Sequence, residues 1–213
     1  MTGSADSGRT GRDRACAAQL DGWLDVLVGW PASGRRTWMR IRQGDRQDDE
    51  ILARHHIALW KSYGIQPEQM RTDALAIILD FITVGRRERS LATFLACDED
   101  DRVIGSASSQ LHRVPYPEIM LPSVRRFGYI WSVFVEPAYR RQGIARQLME
   151  HALAHLRAIG CTTAVLHSSD AGEALYQQLG FRVVKEMRMG LNEPLPEPAD
   201  PPPDPVLGMP PSG

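Results

Sequence analysis

The period of the apolar positions changes several times along the chain, and each change marks an element. Leu20, Trp23, Leu24 and Leu27 recur at i, i+3, i+4 and i+7, one face of a helix over residues 15–30 that Pro31 stops. This stripe predicts a helix packed on the domain's own surface; a partner contact, as in a homodimer, is the other reading. Trp38 to Arg42 reads as a short strand. Asp48 or Asp49 is placed to cap a helix running through Ile51, Leu52, Ile57 and Leu59-Trp60 to Gly64, and a second helix is predicted from Pro67 to about Phe81. Leu91–Ala96 and Val103–Leu111 read as a hairpin joined by the acidic turn Asp98-Glu99-Asp100-Asp101. A loop carrying Pro115, Pro117 and Pro122 leads to a strand at Gly128–Val135. Ile144, Leu148, Ala152, Leu156 and Ile159 then form one stripe of a long helix over residues 143–159. Thr163–Leu166 is a strand, Gly172–Leu179 a helix, and Phe181–Leu191 one or two closing strands. The alternation predicts an α/β chain with a mixed sheet.

Both ends fall outside this pattern. Residues 1–14 are Gly, Ser, Thr, Asp and Arg without apolar periodicity, which predicts a disordered tail. Residues 192–213 are dominated by proline with acidic residues between, which predicts a second, polyproline-like tail. A single domain over residues 37–191 is left between the tails and the N-terminal helical extension at 15–31.

Composition narrows the class. A formal net charge of −1 supplies no field that favours nucleic acid or an anionic membrane, so neither is expected as a partner. No apolar run approaches the roughly 20 residues of a membrane span, and Asp21 and Asp25 interrupt the apolar stretch nearest the N-terminus, unlike a signal peptide. Cys16, Cys97 and Cys161 are odd in number and widely spaced, with neither metal-ligand spacing nor a disulfide framework; a cytoplasmic protein is expected. His151 and His155 stand four apart on a helix, yet no third ligand accompanies them, so no metal is predicted.

The chemistry lies in Tyr129-Ile-Trp-Ser-Val-Phe-Val-Glu-Pro-Ala-Tyr-Arg-Arg-Gln-Gly-Ile-Ala-Arg146. A β-rich run ends at Pro137, a basic turn follows, and a helix opens at about Gly143. The first N–H groups of a helix have no acceptor within it, and the helix dipole puts partial positive charge there, so the junction is an anion site. Gly143 admits a ligand close to the backbone, Ala145 is small, and Arg140, Arg141 and Arg146 add charge. No Gly-Lys-Ser/Thr follows, so this is not a Walker loop, and the further glycines of a dinucleotide fingerprint are missing.

With Arg140, Gly143 and Ala145 the segment resembles the acyl-CoA signature Q/R-x-x-G-x-G/A of the GNAT superfamily of N-acetyltransferases, and Val133-Phe134-Val135-Glu136-Pro137 matches the family's V-x-V-x-P strand ending. Farther on, Leu166-His-Ser-Ser-Asp-Ala-Gly-Glu-Ala-Leu-Tyr-Gln-Gln-Leu-Gly-Phe181 is similar to the family's second signature, with its L-Y-x-x-L-G-F close. The resemblance implies a GNAT-like mixed, mostly antiparallel sheet of six to seven strands flanked by helices and splayed at the acyl-CoA site. It also implies acetyl-CoA as cosubstrate. Val133, Phe134 and Val135 would line the pantetheine arm, with the Val135 N–H as oxyanion donor. Arg140, Arg141, Gln142, Gly143, Ile144, Ala145 and Arg146 would surround the pyrophosphate. Tyr176 matches the tyrosine that protonates the leaving thiolate, and Ser169 stands where many relatives carry an asparagine that contacts pantetheine.

The general base is not settled by the resemblance. Tyr129 and Ala164 occupy places where relatives carry a glutamate; Glu136 is expected to face solvent. His167 is a candidate base, with a strand-end histidine bonded to backbone as the bland alternative. A water relay from Glu118 and direct attack by an already neutral amine are two further routes. The acceptor pocket is expected from His55, His56, Trp60, Tyr63, Trp131 and the loop with Tyr116, Glu118 and Met120. The expected activity is acetyl transfer from acetyl-CoA to a primary amine of a small molecule or peptide by direct attack. A catalytically idle acyl-CoA-binding regulatory or scaffold domain is the alternative.

Overall fold

A computed structural model describes residues 39–188, so the predicted helix at 15–30 and both predicted tails lie outside the described residues. The order is β1 (Arg40–Gln43), α1 (Asp49–Ser62), α2 (Ala74–Glu88), β2 (Ala92–Cys97), β3 (Val103–Leu111), β4 (Phe127–Val135), α3 (Ile144–Ala158), β5 (Thr163–Val165) and α4 (Asp170–Gln178). The strands form one sheet in the order β1-β2-β3-β4-β5. The first four pair antiparallel in sequence, and β5 joins β4 in parallel.

Strand β2 is buried along its whole length because helices cover both faces of the sheet. Ala92, Phe94 and Ala96 point into one cluster with Leu148, Met149, Ala152 and Leu156 of α3. Leu95 and Cys97 point the other way, into a cluster with Leu52 of α1 and Ile82 of α2. Alternation along one strand thus feeds two cores. The stripe read on α3 is the one that is buried: Ile144, Leu148, Ala152 and Leu156 lie at 4% exposure or less.

Three expectations need correction. The second helix does not begin at Pro67: a 3-10 turn at Pro67–Gln69 precedes it, and α2 then runs past Phe81 to Glu88. Its last turn carries Arg86, which bridges to Asp49 of α1. Residues 181–188 form no strand, and the described sheet has five strands; residues 189–191 of the expected closing strands lie outside the described residues. Strand pairing there needs a partner edge, and the described part of β5 is three residues long. Finally, Asp48 does not cap α1 with its side chain. Its carboxylate accepts both terminal nitrogens of Arg42, at 2.6 and 2.7 Å, and the Asp45 N–H at 2.9 Å.

That bidentate pair ties β1 to the start of α1 at a site where Asp48 is only 8% exposed. The Arg42 guanidinium holds the Asp48 carboxyl below the usual carboxylate range, against a burial effect of opposite sign. A depressed folded-state pKa means stability that is complete above the unfolded value near 4 and lost as pH falls through the folded value. Asp48→Asn is therefore expected to cost about 2 kcal/mol at pH 7, as loss of hydrogen bonds to a charged partner does. Denaturant melts of the two proteins from pH 7 to pH 2 should converge as Asp48 protonates; a gap that stays constant would show that the pair contributes nothing.

Candidate active site

The pairing of β4 with β5 ends at Tyr129 opposite Val165, yet β4 runs on to Val135. From Ile130 onward the β5 side of β4 is an open edge among the described residues. The strand also carries a bulge. Ser106 pairs with Phe134 and Ser108 with Trp131, so Ala107 faces two residues, Ser132 and Val133. Ser132 takes φ +55, a left-handed conformation uncommon for serine. The extra residue changes which face each side chain meets. Before it, Ile130 packs on the α3 cluster and Trp131 on the α1/α2 cluster; after it, Val133 and Val135 pack on the α3 cluster. Phe134 then faces α1, with its ring 4.8 Å from that of His55. Residues 127–135 are apolar at nearly every position, so the sequence carried no parity signal for the bulge.

Backbone direction follows. The Glu136 N–H bonds to the Ile104 carbonyl on β3, so by alternation the N–H and C=O of Val135 face the open edge. The Arg140 Nε donates to that Val135 carbonyl at 3.0 Å, and its guanidinium lies 6.0 Å from the Phe134 ring centroid. Arg140 thus braces the strand end instead of standing free. Glu136 is not simply solvated as expected: its Oε1 lies 3.8 Å from His55 Nε2, on a side chain 41% exposed. Burial pushes the His55 pKa down to about 4, so the ring is neutral at pH 7 and the contact is not an ion pair. His55 Nδ1 shares a hydrogen with Ser106 Oγ at 2.9 Å.

Beyond the 3-10 turn Pro137–Tyr139 the chain enters α3 through two left-handed residues, Arg141 at φ +64 and Gly143 at φ +80. Arg141 carries a side chain in that conformation, a strain of about 1–2 kcal/mol that typically persists at ligand clamps. The first bond of the helical turn is Gln147 N–H to the Gly143 carbonyl at 3.2 Å. Consequently the N–H groups of Arg141, Gln142, Gly143, Ile144, Ala145 and Arg146 have no backbone acceptor among the described residues. A row of such donors, at the positive end of a helix dipole and flanked by arginines, fits a diphosphate. Ile144 is buried, so only its N–H is available. The Arg146 side chain reaches Gln178 of α4 at 2.6 Å.

Helix α4 holds Tyr176 by local chemistry that the second signature encodes. Gly180 ends the helix at φ +91, and the Phe181 N–H returns to the Tyr176 carbonyl at 2.9 Å. This is a Schellman ending, whose apolar contact is here the Phe181 ring 6.0 Å from that of Tyr176. Gly172, one turn earlier, leaves room for the ring: a Cβ there would come within 2.8 Å of Tyr176 Cε2. Burial, then the nearby Tyr63, pushes the Tyr176 phenol up to about 12. It is therefore fully protonated at neutral pH. Ser169 is the N-terminal boundary residue of α4; its carbonyl accepts the N–H groups of Gly172 and Glu173, and its hydroxyl makes no cap.

His167 is not the backbone-bonded histidine of the bland reading. Its Nδ1 lies 2.6 Å from the Tyr129 hydroxyl and its Nε2 lies 3.1 Å from Glu186 Oε2. Neither Tyr129 nor Glu186 could be tied to it from spacing, being 38 and 19 residues away. Of the residues expected on the acceptor side, His56, Trp60, Tyr63 and Trp131 come together, whereas Tyr116 pairs with Arg125. His56 lies 6.2 Å from Trp60 and 5.5 Å from Trp131, and Trp60 lies 6.0 Å from Tyr63, all edge to face. Trp60 and Tyr63 are 48% and 49% exposed, so they are surface residues rather than core. Phe81 joins them through Trp131 at 5.1 Å, a member that α2's extra length supplies. His151 and His155 bond to the carbonyls of Gln147 and Ser90. No group that could hold a metal occurs among the described residues, and no described helix is long and apolar enough to cross a membrane.

Comparison with known proteins bears on the family and the fold. The acetyltransferase (GNAT) family model matches residues 52–181. The glucosamine 6-phosphate N-acetyltransferase of Trypanosoma brucei brucei is 32% identical over 108 residues, which span 50% of this chain and 70% of that protein. A GCN5-related N-acetyltransferase from Ralstonia eutropha JMP134 superposes with a TM-score of 0.63 at 23% identity, covering 72% of this chain and 99% of that one. A predicted acetyltransferase from Clostridium acetobutylicum solved with acetyl-CoA superposes at 0.61 with 21% identity, covering 72% and 97%. The two structures share the fold.

Proposed function

The chain belongs to the GNAT family of acetyltransferases, and from that premise we propose that it moves the acetyl group of acetyl-CoA onto a primary amine by direct attack. The observation that carries this reading is the alignment of two features: an open β4 edge bearing Val133 and Val135, running into the row of free N–H groups at residues 141–146. The edge suits the amide-bearing pantetheine arm, and the row suits the pyrophosphate. Acetyl-CoA supplies an activated thioester carbonyl. The Val135 N–H donates to its oxygen as negative charge develops there, a contribution on the order of 3 kcal/mol for a preorganised donor. Arg141 and Gly143 hold their amides in place through fixed left-handed backbone. Tyr176, protonated at neutral pH, gives its proton to the departing thiolate. His167 is the base nearest the end of the β4–β5 pairing.

The acceptor side is aromatic: His56, Trp60, Tyr63 and Trp131 form its wall. Such a wall accommodates a cationic or ring-bearing amine through stacking and cation–π contact. The T. brucei relative is named for an amine-bearing sugar phosphate, which places small amines first among acceptors to try.

Thiol release from acetyl-CoA, followed across glucosamine 6-phosphate, tyramine, free amino acids and peptides with N-terminal alanine, tests the reading. At least one amine should release coenzyme A and gain an acetyl group by mass spectrometry. Tight coenzyme A binding without turnover on any amine would overturn it.

A further inference from the structure

We propose that Tyr129, His167 and Glu186 form a proton relay that takes the acceptor ammonium's proton at the Tyr129 hydroxyl and passes it through the imidazole to solvent. This inference rests on the transfer reaction proposed above and names the residues that prepare its nucleophile.

The placement comes from the sheet. Tyr129 is the last β4 residue paired with β5, so it stands where the two strands part. Strand alternation puts its side chain on the same face as Trp131, two residues on, and Trp131 belongs to the aromatic wall through His56 and Phe81. His167 follows Val165, Tyr129's partner, by two residues, and so emerges at the same place. The three groups then run outward in order. The Tyr129 ring is half-buried and stacks on His112 at 5.2 Å and 27°. The side chains of His167 and Glu186 are 56% and 54% exposed. The inner end meets the acceptor face and the outer end meets water.

The hydrogen-bond order sets one direction. The Tyr129 O–H donates to His167 Nδ1, and the Nε2–H donates to the Glu186 carboxylate. In this tautomer the imidazole is ready to accept at Nδ1. The acceptor nitrogen's proton moves to the Tyr129 oxygen while Tyr129's own proton moves to Nδ1, and the imidazolium then sheds its Nε2 proton to water beside Glu186. Of the two protons the ammonium nitrogen loses overall, this route carries one. The other balances the proton that Tyr176 gives to the thiolate as the C–S bond breaks and the C–N bond forms. Burial, with Glu186 adding to it and Arg188 opposing it, raises the Tyr129 pKa, so the phenol conducts a proton without resting as phenolate. Other charged or titrating groups facing the relay are His112, which interacts with His167, Glu118 and Arg89, and Arg188, whose Nε bonds Glu186 Oε1 at 2.7 Å.

The pH dependence of kcat/KM with the fastest amine of the panel tests the relay. In the wild type kcat/KM should rise with pH and level off below the pKa of the free amine. Tyr129→Phe should lower kcat/KM at pH 7 by about a hundredfold, with unchanged coenzyme A affinity by calorimetry, as loss of one positioned proton-transfer group does. Its rate should keep climbing with pH toward the pKa of the free amine, because only the neutral amine reacts. Glu186 is a positioning residue: Glu186→Gln removes a carboxylate that steadies the imidazolium, so the rising limb should move to lower pH. A packing role for Glu186 would not move that limb. If Tyr129→Phe fails to fold, the exposed Glu186 site carries the test alone. Variant profiles that overlay the wild type would overturn the relay while leaving acetyl transfer standing; a wild type inert toward every amine would overturn both.

Discussion

Gly143→Asp is expected to lower the affinity for coenzyme A more than a thousandfold, a loss of about 4 kcal/mol or more, without unfolding the protein. The reasons for the two halves differ. Gly143 sits at φ +80, where most side chains are strained, but aspartate and asparagine tolerate the left-handed region better than others. A carboxylate at a helix N-terminus is also favoured by the dipole, so thermal stability should hold or rise slightly. The same carboxylate occupies the row of N–H donors over Arg141 to Arg146 as an internal anion and repels the diphosphate. Gly143→Asn separates charge from shape: it keeps the backbone tolerance, adds similar bulk and carries no charge, so its loss should be about tenfold. Titration calorimetry of both variants decides the matter. Equal affinity for wild type and Gly143→Asp would remove this junction as the pyrophosphate site.

Tyr176→Phe is expected to lower kcat by about a thousandfold, within the range for a positioned general acid. Coenzyme A affinity should change by no more than about threefold. The change deletes one oxygen, and the Tyr176 hydroxyl has no hydrogen-bond partner among the described residues, so no group is orphaned by its removal. The Phe181 contact and the Schellman bond depend on the ring and the backbone, which remain. Stopped-flow thiol release with a saturating amine measures the step directly. Full activity in this variant would show that the thiolate departs without Tyr176.

These effects test residues that the sequence pointed to unequally. Strand β3 falls where the alternation placed it, and the buried stripe of α3 is the one the 3.6-residue period marked. Both signals are local: each residue's neighbours in the element are its neighbours in the chain. Helix α2 was less legible. Its last turn is rich in arginine, and what holds Arg86 there is Asp49, 37 residues earlier. Asp48 looked like a cap because capping residues and ion-pair partners are the same residue types; only the approach of Arg42 on β1 decided its role.

The candidate site divides along the same line. The row of free N–H groups and the hold on Tyr176 are written in short runs, Arg140–Arg146 and Leu175–Phe181, because a helix start and a helix stop are set by residues within one turn. The open edge of β4, the Ser132 bulge that redirects Val133 and Val135, the aromatic wall and the link from Tyr129 through His167 to Glu186 exist only once strands are paired and distant segments meet. By itself the sequence determined which backbone donors stand free at the start of α3 and how Tyr176 is held on α4, since helix starts and stops depend on local order. Tertiary structure alone decided which aromatic residues meet and which partners His167 finds, because those contacts are set by sheet register and by which side chains the two cores leave at the surface.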